Sequence, residues 1–178
     1  ETGATQKYDG PYFVMRWLLR QPKIAILPVV GRPRAYRFNA VPCNFVADAI
    51  THLSQIPEAV GQVYQIADPT PMTVDETIRA IASATGRHVI RIPLTLGIAK
   101  AALDHVPGMY RLMRIPSASV NYFVHPTTYD TSNLQRDLPG VKIPSLREYL
   151  PRLVDFVRAH PEIGSSAMTL AVRPWALG

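Results

Sequence analysis

The sequence predicts an α+β fold, in which helices and short strands follow one another without a regular alternation. Three observations support this prediction. Apolar residues recur at helical spacing behind capping signals, most plainly over residues 73–86. Short β-rich runs bounded by glycine or proline lie between the helical segments. These strands are too scattered to complete a doubly wound sheet, so we expect an α+β lobe that needs neighbours.

The first third of the chain predicts a helix, two strands and a second helix. Pro11 occupies a first helical position before YFVMRWLLR, and Pro22 closes that helix. The apolar run KIAILPVVG predicts an edge strand or two shorter pieces, because Pro28 interrupts it. Alternation over residues 36–40 predicts a further strand, and Asn44 then predicts the N-cap of the next helix.

The middle of the chain carries the clearest helix signal. GQVYQIAD is β-rich and bounded by glycine and proline, so it predicts a buried strand. Residues 73–76 form a capping box, and the apolar stripe behind it ends at Gly86. Asp75 and Glu76 lie in the first turn of this helix, where their charges complement its dipole. HVIRIP and LTLGIAKAALDHV then predict a strand and a helix.

The last third predicts shorter elements and a tail. YRLMRI predicts a helical turn or two, VNYFVHP predicts a strand, and residues 132–138 predict a short helix. Residues 145–148 form a second capping box, which opens a helix that Pro151 must kink or delay. Residues 161–178 show no period, so this tail is expected either to be loose or to pack through Trp175.

The composition indicates where the protein is located and which classes of partner are not expected. The 178 residues are 47% apolar, and no apolar run approaches the roughly 20 residues of a membrane span, so we expect no transmembrane segment. Cys43 is the only cysteine, which excludes an internal disulfide and predicts a reducing, cytoplasmic location. The net charge of +6 is spread along the chain. Because no zinc finger, RNA-recognition signature or basic heptad helix is present, we expect no nucleic-acid partner.

The sequence contains no recognised catalytic or metal-binding motif. No two of the five histidines stand at ligand spacing, so we expect no metal site. There is no Gly-x-Ser-x-Gly elbow, no Gly-x-Gly-x-x-Gly phosphate loop, and no tyrosine four residues before a lysine. By itself the chain has no recognised route to bind a dinucleotide and transfer a hydride, and we assign it no catalytic residue.

Two stretches admit both a structural and a functional interpretation. In QKYDGPYF, an Asp-Gly turn leads into a helix, and alternatively Lys7 and Tyr12 line the mouth of a pocket, with Lys7 meeting an anionic group. Cys43 is by default a small buried hydrophobe, and alternatively a reactive thiol at a helix N-terminus.

Several motifs occur in a fixed order along the chain. Thr-Gly at residues 2–3 precedes Asp-Gly-Pro-Tyr at residues 9–12, and RFNAVPCNFV follows at residues 37–46. YQIADPTPMTVDETI, YDTSNLQRDL and SLREYLPRLVDF come later. Together these segments resemble the C-terminal half of the extended short-chain dehydrogenase/reductases, of the NAD-dependent epimerase/dehydratase superfamily. The nearest branch holds the fatty acyl-CoA reductases and thioester-reductase domains, whose pattern this chain departs from at Cys43 and Asn44.

The resemblance implies a division of the chain and a set of site residues. Residues 1–160 would form the substrate-binding lobe, with the terminal strand or strands of an incomplete Rossmann-type α/β sheet, and residues 161–178 a C-terminal tail. A separate N-terminal half would hold NADP or NAD and carry the catalytic tyrosine and lysine, so this chain alone is expected to bind no cofactor. The substrate-binding residues expected from this lobe are Lys7, Tyr12, Arg37 and Asn39.

The implied reaction is hydride transfer between a nicotinamide and a carbonyl or alcohol carbon. An acyl or lipid-like substrate is favoured over a nucleotide sugar, because the phosphate-binding arginine of the related epimerases aligns with Phe38, and a phenyl ring cannot clamp a phosphate. A register slip of one residue would bring Arg37 to that place. Two alternatives stay open: a non-catalytic binding or regulatory module, and part of a nucleotide-sugar epimerase or dehydratase. An unpaired edge along GQVYQIAD would also favour a homodimer.

Overall fold

The computed structural model of the chain describes residues 3–5, 8–105 and 127–163. Within these ranges the chain contains both helices and strands, which confirms the mixed α+β class. The elements in chain order are α1 (Pro11–Leu19), β1 (Ile24–Val30), α2 (Cys43–Leu53), a 3-10 turn (Pro57–Ala59), α3 (Val74–Thr85), β2 (His88–Leu94), α4 (Leu96–His105), α5 (Ser132–Asp137) and α6 (Leu146–Ala159).

The sheet is a parallel pair of strands. β1 and β2 run side by side, with Ile24 opposite His88 and Val30 opposite Leu94. Side chains alternate between the two faces of a strand. On one face Ala25, Leu27 and Val29 are buried beneath the helices. The opposite face carries four isoleucines that are roughly half exposed, at 62%, 47%, 55% and 44%: Ile24, Ile26, Ile90 and Ile92.

The main core lies between the buried face of the sheet and three helices. α1, α3 and α6 each turn an apolar stripe inward, because their apolar residues recur at helical spacing. The most deeply buried side chains that these three helices contribute are Met15, Leu18, Ile81, Leu150 and Val154. Burial of a complete apolar side chain contributes about 1.5–3 kcal/mol, so this layer supplies most of the stability that can be assigned to the described residues.

A smaller cluster joins α2 to α5. Phe45, Ala49 and Leu53 lie on one face of α2 and pack against Leu134 and Leu138. The spacing of the three α2 residues follows the helical repeat, so the same geometry leaves the opposite side of α2 in solvent.

A polar group closes this smaller cluster. The Tyr64 hydroxyl donates to Asp137 Oδ2 at 2.5 Å, and Arg136 donates to both oxygens of the same carboxylate at 2.7 and 2.6 Å. The segment before Tyr64 is held as well, because Asn133 Nδ2 donates to the Val63 carbonyl at 2.9 Å.

The capping signals of α3 form as predicted. Glu76 N donates to Thr73 Oγ1 at 3.1 Å, and Thr73 N donates to Glu76 Oε2 at 2.8 Å, which completes a capping box. At the other end Gly86 has a φ of 69°, the left-handed conformation that favours glycine. α1 begins at Pro11, also as predicted.

α6 begins where it was predicted to begin, but the predicted capping box does not form. Ser145 is the N-cap residue, yet its side chain makes no capping hydrogen bond. Glu148, the other half of the predicted box, instead accepts from Lys142 Nζ at 2.9 Å. Pro151 lies inside α6 and does not delay its start.

Three predictions about the first half of the chain are wrong. Residues 36–40 form no strand, because they make only an isolated antiparallel bridge between Arg37 and Thr73. Residues 61–68 form no strand either, since side chains rather than a neighbouring strand bond to their backbone. The edge predicted along GQVYQIAD is therefore not a sheet edge. Asn44 is not an N-cap, because α2 begins one residue earlier, with Pro42 at the cap position.

Four predictions lie outside the described residues: the helical turn of YRLMRI, the strand of VNYFVHP, the packing of Trp175 and the role of Lys7. Among the helices that the structure does describe, none combines the length and the apolar character needed to cross a membrane.

Candidate functional site

Arg37 and Asn39 both bond to the loop that precedes α3. Asn39 Nδ2 donates to the Asp68 carbonyl at 2.8 Å, and Asp68 N donates back to Asn39 Oδ1 at 3.0 Å. Arg37 Nη1 donates to the Pro71 carbonyl at 2.9 Å. These side chains satisfy backbone groups of the loop, and they add to the two backbone bonds of the isolated bridge, from Phe38 N to the Met72 carbonyl and from Val74 N to the Tyr36 carbonyl.

Asp68 organises the same loop from within. Its side chain is buried, and Oδ1 accepts from Thr70 N at 2.9 Å. An aspartate that bonds to the backbone two residues later forms an Asx turn, which fixes the direction of the chain before a proline-rich stretch. Asp68 is therefore held twice: its backbone bonds to the Asn39 side chain, and its own side chain forms the Asx turn.

Two tyrosines near the start of α1 stack on one another. The ring centroids of Tyr8 and Tyr12 are 5.3 Å apart, and the Arg16 guanidinium lies 5.1 Å from the centroid of the Tyr8 ring. Tyr8 is fully buried and donates its hydroxyl proton to the His160 carbonyl at 2.8 Å. Tyr12 is half-buried, so it is the member of the pair that a ligand can reach.

Tyr149 connects these tyrosines to the Asn39–Asp68 pair. Its hydroxyl donates to the Ala40 carbonyl at 3.0 Å. Burial raises the pKa of Tyr149, and the charges of Asp68 and Tyr12 raise it further. Asn39, the residue before Ala40, bonds to Asp68, so Tyr149, Asn39 and Asp68 lie together, and Tyr12 is close enough to affect the pKa of Tyr149. We call these four residues the tyrosine site: Tyr12, Asn39, Asp68 and Tyr149.

The tyrosine site offers hydrogen-bond donors rather than bases. Burial, followed by the nearby Tyr8, Asp9 and Cys43, also raises the pKa of Tyr12. A raised pKa keeps a phenol protonated near neutral pH. The Tyr149 proton is already donated to the Ala40 carbonyl, so the Tyr12 hydroxyl is the group that can donate to a carbonyl or phosphate oxygen of a ligand. Both hydroxyls are poorly suited to accept a proton from a substrate.

The structure brings together only part of the predicted substrate-binding set. Tyr12 and Asn39 both lie near Tyr149, whereas the exposed side chain of Arg37 is directed to the Pro71 carbonyl. Asp68 and Tyr149 were not predicted. The Asp-Pro-Thr sequence at residues 68–70 carries a usable turn signal for Asp68. Tyr149 carries none, because its contact with Ala40 spans 109 residues.

Cys43 does not behave as the default interpretation predicts. Its side chain is exposed, so the expectation of a small buried hydrophobe is wrong. Phe45, Ala49 and Leu53 occupy the buried face of α2. Residue 43 falls on the opposite face, which also exposes Ile50.

One further cavity lies beside the smaller cluster. It has a volume of about 230 Å³ and is bordered by Phe45, Leu134, Leu138, Val141 and Ile143. Its walls are mainly apolar, and Gln135 is a polar group at its border. Within residues 3–5, 8–105 and 127–163, no three histidine, cysteine or acidic side chains come together as a metal site.

Comparison of the chain with family models, with curated proteins and with solved structures finds no match in any of the three. The likeness to the extended short-chain dehydrogenase/reductases accordingly rests on the sequence motifs alone.

Proposed function

We propose that this chain is the substrate-binding part of an NAD(P)-dependent oxidoreductase of the extended short-chain type, and that it docks through its sheet onto a dinucleotide-binding half. The single observation that carries the proposal is the apolar face of β1 and β2, which no described residue covers. Parallel sheets occur almost entirely with both faces covered, because their strands are apolar on both sides. A parallel pair with one such face is therefore suited to join a larger sheet.

The open face is large enough to hold a partner. Ile24, Ile26, Ile90 and Ile92 each leave roughly half of their surface in solvent. At about 1.5–3 kcal/mol for each complete side chain, covering the four would contribute about 3–6 kcal/mol. A gain of this size favours a defined interface over four separate exposed residues.

The two edges of the sheet differ in a way that suggests where further strands would add. The outer edge of β1 is closed, because Trp17 Nε1 donates to the Ile26 carbonyl at 2.7 Å and Gln21 bonds to both Ile26 N and the Ile26 carbonyl. α1 therefore blocks this edge. We place the incoming strand at the other edge, along β2.

The hydrogen-bond pattern of β2 supports that placement. His88 N donates to the Lys23 carbonyl at 2.8 Å, so His88 and every second residue after it bond to β1. Val89 and Arg91 then direct their backbone groups away from β1, toward an edge that no described residue covers. An added strand would satisfy them.

The tyrosine site is the proposed contact with substrate. Tyr12 supplies a hydroxyl donor, Tyr149 bonds to the Ala40 carbonyl beside Asn39, and the partner half supplies NAD(P) and the tyrosine and lysine that exchange the proton. Phe38 is buried, and the Arg37 guanidinium is already bonded to the Pro71 carbonyl. This arrangement favours an acyl or lipid-like substrate over a nucleotide sugar.

The test compares the native polypeptide, captured from its own cells by an antibody against this chain, with the isolated 178-residue chain. Hydrogen exchange is measured at the amides of Val89, Arg91 and Ile90. We expect Val89 and Arg91 to be protected only in the native polypeptide, and Ile90, which bonds to β1, to be protected in both. Equal, fast exchange of Val89 and Arg91 in both samples would rule out docking along β2.

The enzymatic part of the proposal has its own assay. The native polypeptide is expected to oxidise NADPH in the presence of a fatty aldehyde or acyl thioester, and not in the presence of a nucleotide sugar. Turnover of the nucleotide sugar instead would replace the acyl branch by the epimerase/dehydratase branch. Protection of Val89 and Arg91 without any turnover would favour the second candidate described next.

The second candidate is a non-catalytic binding or regulatory module. The observation that favours it is the structural use of Arg37 and Asn39, whose side-chain bonds go to the Asp68 and Pro71 backbone. Association of the isolated chain with a second copy along the free edge of β2 would support this candidate. It would appear as protection of Val89 and Arg91 that increases with the concentration of the 178-residue chain.

A further inference from the structure

Five arginines surround the beginning of α3. Three of them meet one carboxylate: Arg79 Nη2 and Arg91 Nη1 bond to Asp75, and Arg34 Nε lies 3.7 Å from Asp75 Oδ2. The other two, Arg37 and Arg147, lie close enough to Glu76 to lower the pKa of its carboxyl, after the larger effect of its hydrogen bonds with Thr73.

The arginines outnumber the acids at this place. Five guanidiniums against the two carboxylates Asp75 and Glu76 leave a formal charge of +3. Both acids are already engaged. The Asp75 side chain is only 5% exposed and is bonded to arginines, while Glu76 Oε2 accepts from the backbone and the hydroxyl of Thr73. The excess positive charge is therefore available to an external anion.

A groove of about 460 Å³ opens beside these arginines, between α3 and α6. The two helices run in the same direction, since their starts lie together and their ends lie together. Near the starts, the charge of Arg147 in α6 lowers the pKa of Glu76 in α3. Near the ends, Arg158 of α6 donates to the Ala84 and Thr85 carbonyls of α3. The groove therefore has one end defined by the two helix starts.

The walls of the groove combine two kinds of chemistry. Arg79, Arg147 and Glu76 contribute charged groups, and Ser83 contributes a hydroxyl. The other lining residues are apolar: Ala80, Ala84, Leu150 and Pro151. Arginines beside an apolar wall match a molecule that has an anionic head and an apolar body.

We propose that the groove between α3 and α6 binds an amphipathic organic phosphate, with the phosphate at Arg79 and Arg147 and the apolar body along Ala80, Ala84, Leu150 and Pro151. This site is on the helical side of the sheet. The proposal does not depend on the docking of the opposite face or on oxidoreductase activity.

The arginines are suited to a phosphate group. A guanidinium presents a planar fork of donors that matches two oxygens of a phosphate. Asp75 holds Arg79 in place without using all of its donors, so less side-chain entropy is lost when an anion binds. Arg147 donates only to Met72 Sδ, at 3.7 Å, and sulfur is a weak acceptor that a phosphate oxygen readily replaces.

The test titrates the 178-residue chain with three probes and follows backbone amide shifts by NMR. The probes are hexyl phosphate, inorganic phosphate and hexanol. We expect saturable shifts along α3 and α6 with hexyl phosphate. Inorganic phosphate is expected to bind about tenfold more weakly, because it lacks the apolar body, and hexanol is expected to produce no saturable shift.

Two kinds of variant test the contacts of the phosphate head and of the apolar body separately. Arg79→Gln and Arg147→Gln should each weaken hexyl phosphate about tenfold, since each removes a charged hydrogen-bond partner. Ser83→Phe places a ring at an exposed position in the groove, and should weaken hexyl phosphate while leaving inorganic phosphate unchanged. Arg20→Gln removes an equal charge from an exposed position at the end of α1 and is the matched control.

Three results would overturn the proposal. The first is the absence of saturable shifts with millimolar hexyl phosphate. The second is an equal loss of affinity in Arg20→Gln, which would show that binding depends only on the net charge of the chain. The third is tighter binding of a single-stranded oligonucleotide that Ser83→Phe does not affect, which would assign the arginines to nucleic acid. Near-UV circular dichroism of each variant checks that the fold is retained.

Discussion

The two faces of the sheet are built from the same kinds of residue and have opposite surroundings. On the covered face, Ala25, Leu27 and Val29 lie beneath α1 and α3. On the open face, Ile24 and Ile26 are as apolar and leave about half of their surface in solvent. Side-chain chemistry alone therefore does not decide burial. What decides it is whether a second layer packs there, and only one face has such a layer among the described residues.

The strongest test of this comparison removes a side chain from the covering layer. Leu150→Ala deletes a side chain of α6 that is 2% exposed, and we expect a loss of about 2–5 kcal/mol in the free energy of unfolding. Urea denaturation followed by circular dichroism measures it. A loss below about 1 kcal/mol would mean that α6 does not pack against α1 and α3 as described.

A smaller loss is expected at the tyrosine site. Asn39→Ala removes both side-chain bonds to Asp68 and leaves a partly buried N–H without its acceptor, so we expect a loss of about 1–3 kcal/mol. Asn44→Ala is the matched control, since the exposed Asn44 caps no helix. Equal losses in the two variants would contradict the role given to Asn39.

The helices of the covering layer allow a comparison of two capping boxes. Thr73→Ala breaks a formed box and should cost about 1 kcal/mol. Ser145→Ala changes a residue whose side chain makes no capping bond, and should cost clearly less. The two unfolding curves are recorded under the same conditions, and the reverse order of stability would show that the boxes have been assigned incorrectly.

On the open face a substitution should have little effect in the isolated chain. Ile90→Ser replaces a residue that is 55% exposed, so we expect the free energy of unfolding to change by no more than about 0.5 kcal/mol. In the native polypeptide the same change should be clearly destabilising if a partner covers this face. A large loss in the isolated chain would show that the face is already covered there.

The smallest effect is expected away from both faces, at the α2–α5 cluster. Hydrogen bonds from Arg136 and then Tyr64 lower the pKa of Asp137 from 3.8 to about 2. Because the folded-state pKa lies below the unfolded one, this pair stabilises the fold above pH 4 or so, and the contribution is lost as the pH falls toward about 2.

Acid unfolding of two variants measures this contribution. Asp137→Asn should reduce the dependence of stability on pH in that window by the share that Asp137 contributes, and Tyr64→Phe should remove part of that share, because one of the hydrogen bonds is lost. The same acid-unfolding profile in parent and Asp137→Asn would contradict the assignment. Neither variant should alter hydrogen exchange at β1 or β2.

Local sequence signals predicted the elements that depend on a few neighbouring residues. Pro11 predicted the start of α1, and residues 73–76 with Gly86 predicted both ends of α3. Such signals act over one helical turn, so no distant contact is needed to interpret them. The tyrosine site shows the limit: Asp68 had a local turn signal, whereas Tyr149 reaches Ala40 across 109 residues.

By itself the sequence determined the mixed α+β class, the helix stripes and the presence of apolar strands in KIAILPVVG and HVIRIP, whereas the parallel pairing of these strands came from the structure. Only the tertiary structure decided that residues 36–40 and 61–68 are not strands, although their composition is β-rich. The physical reason is that a strand exists only when another strand satisfies its backbone, and β-propensity measures suitability for a sheet, not the presence of a partner. For the same reason, the sequence could not show that one face of β1 and β2 is open among the described residues. It also could not show that arginines from four separate segments meet around the start of α3.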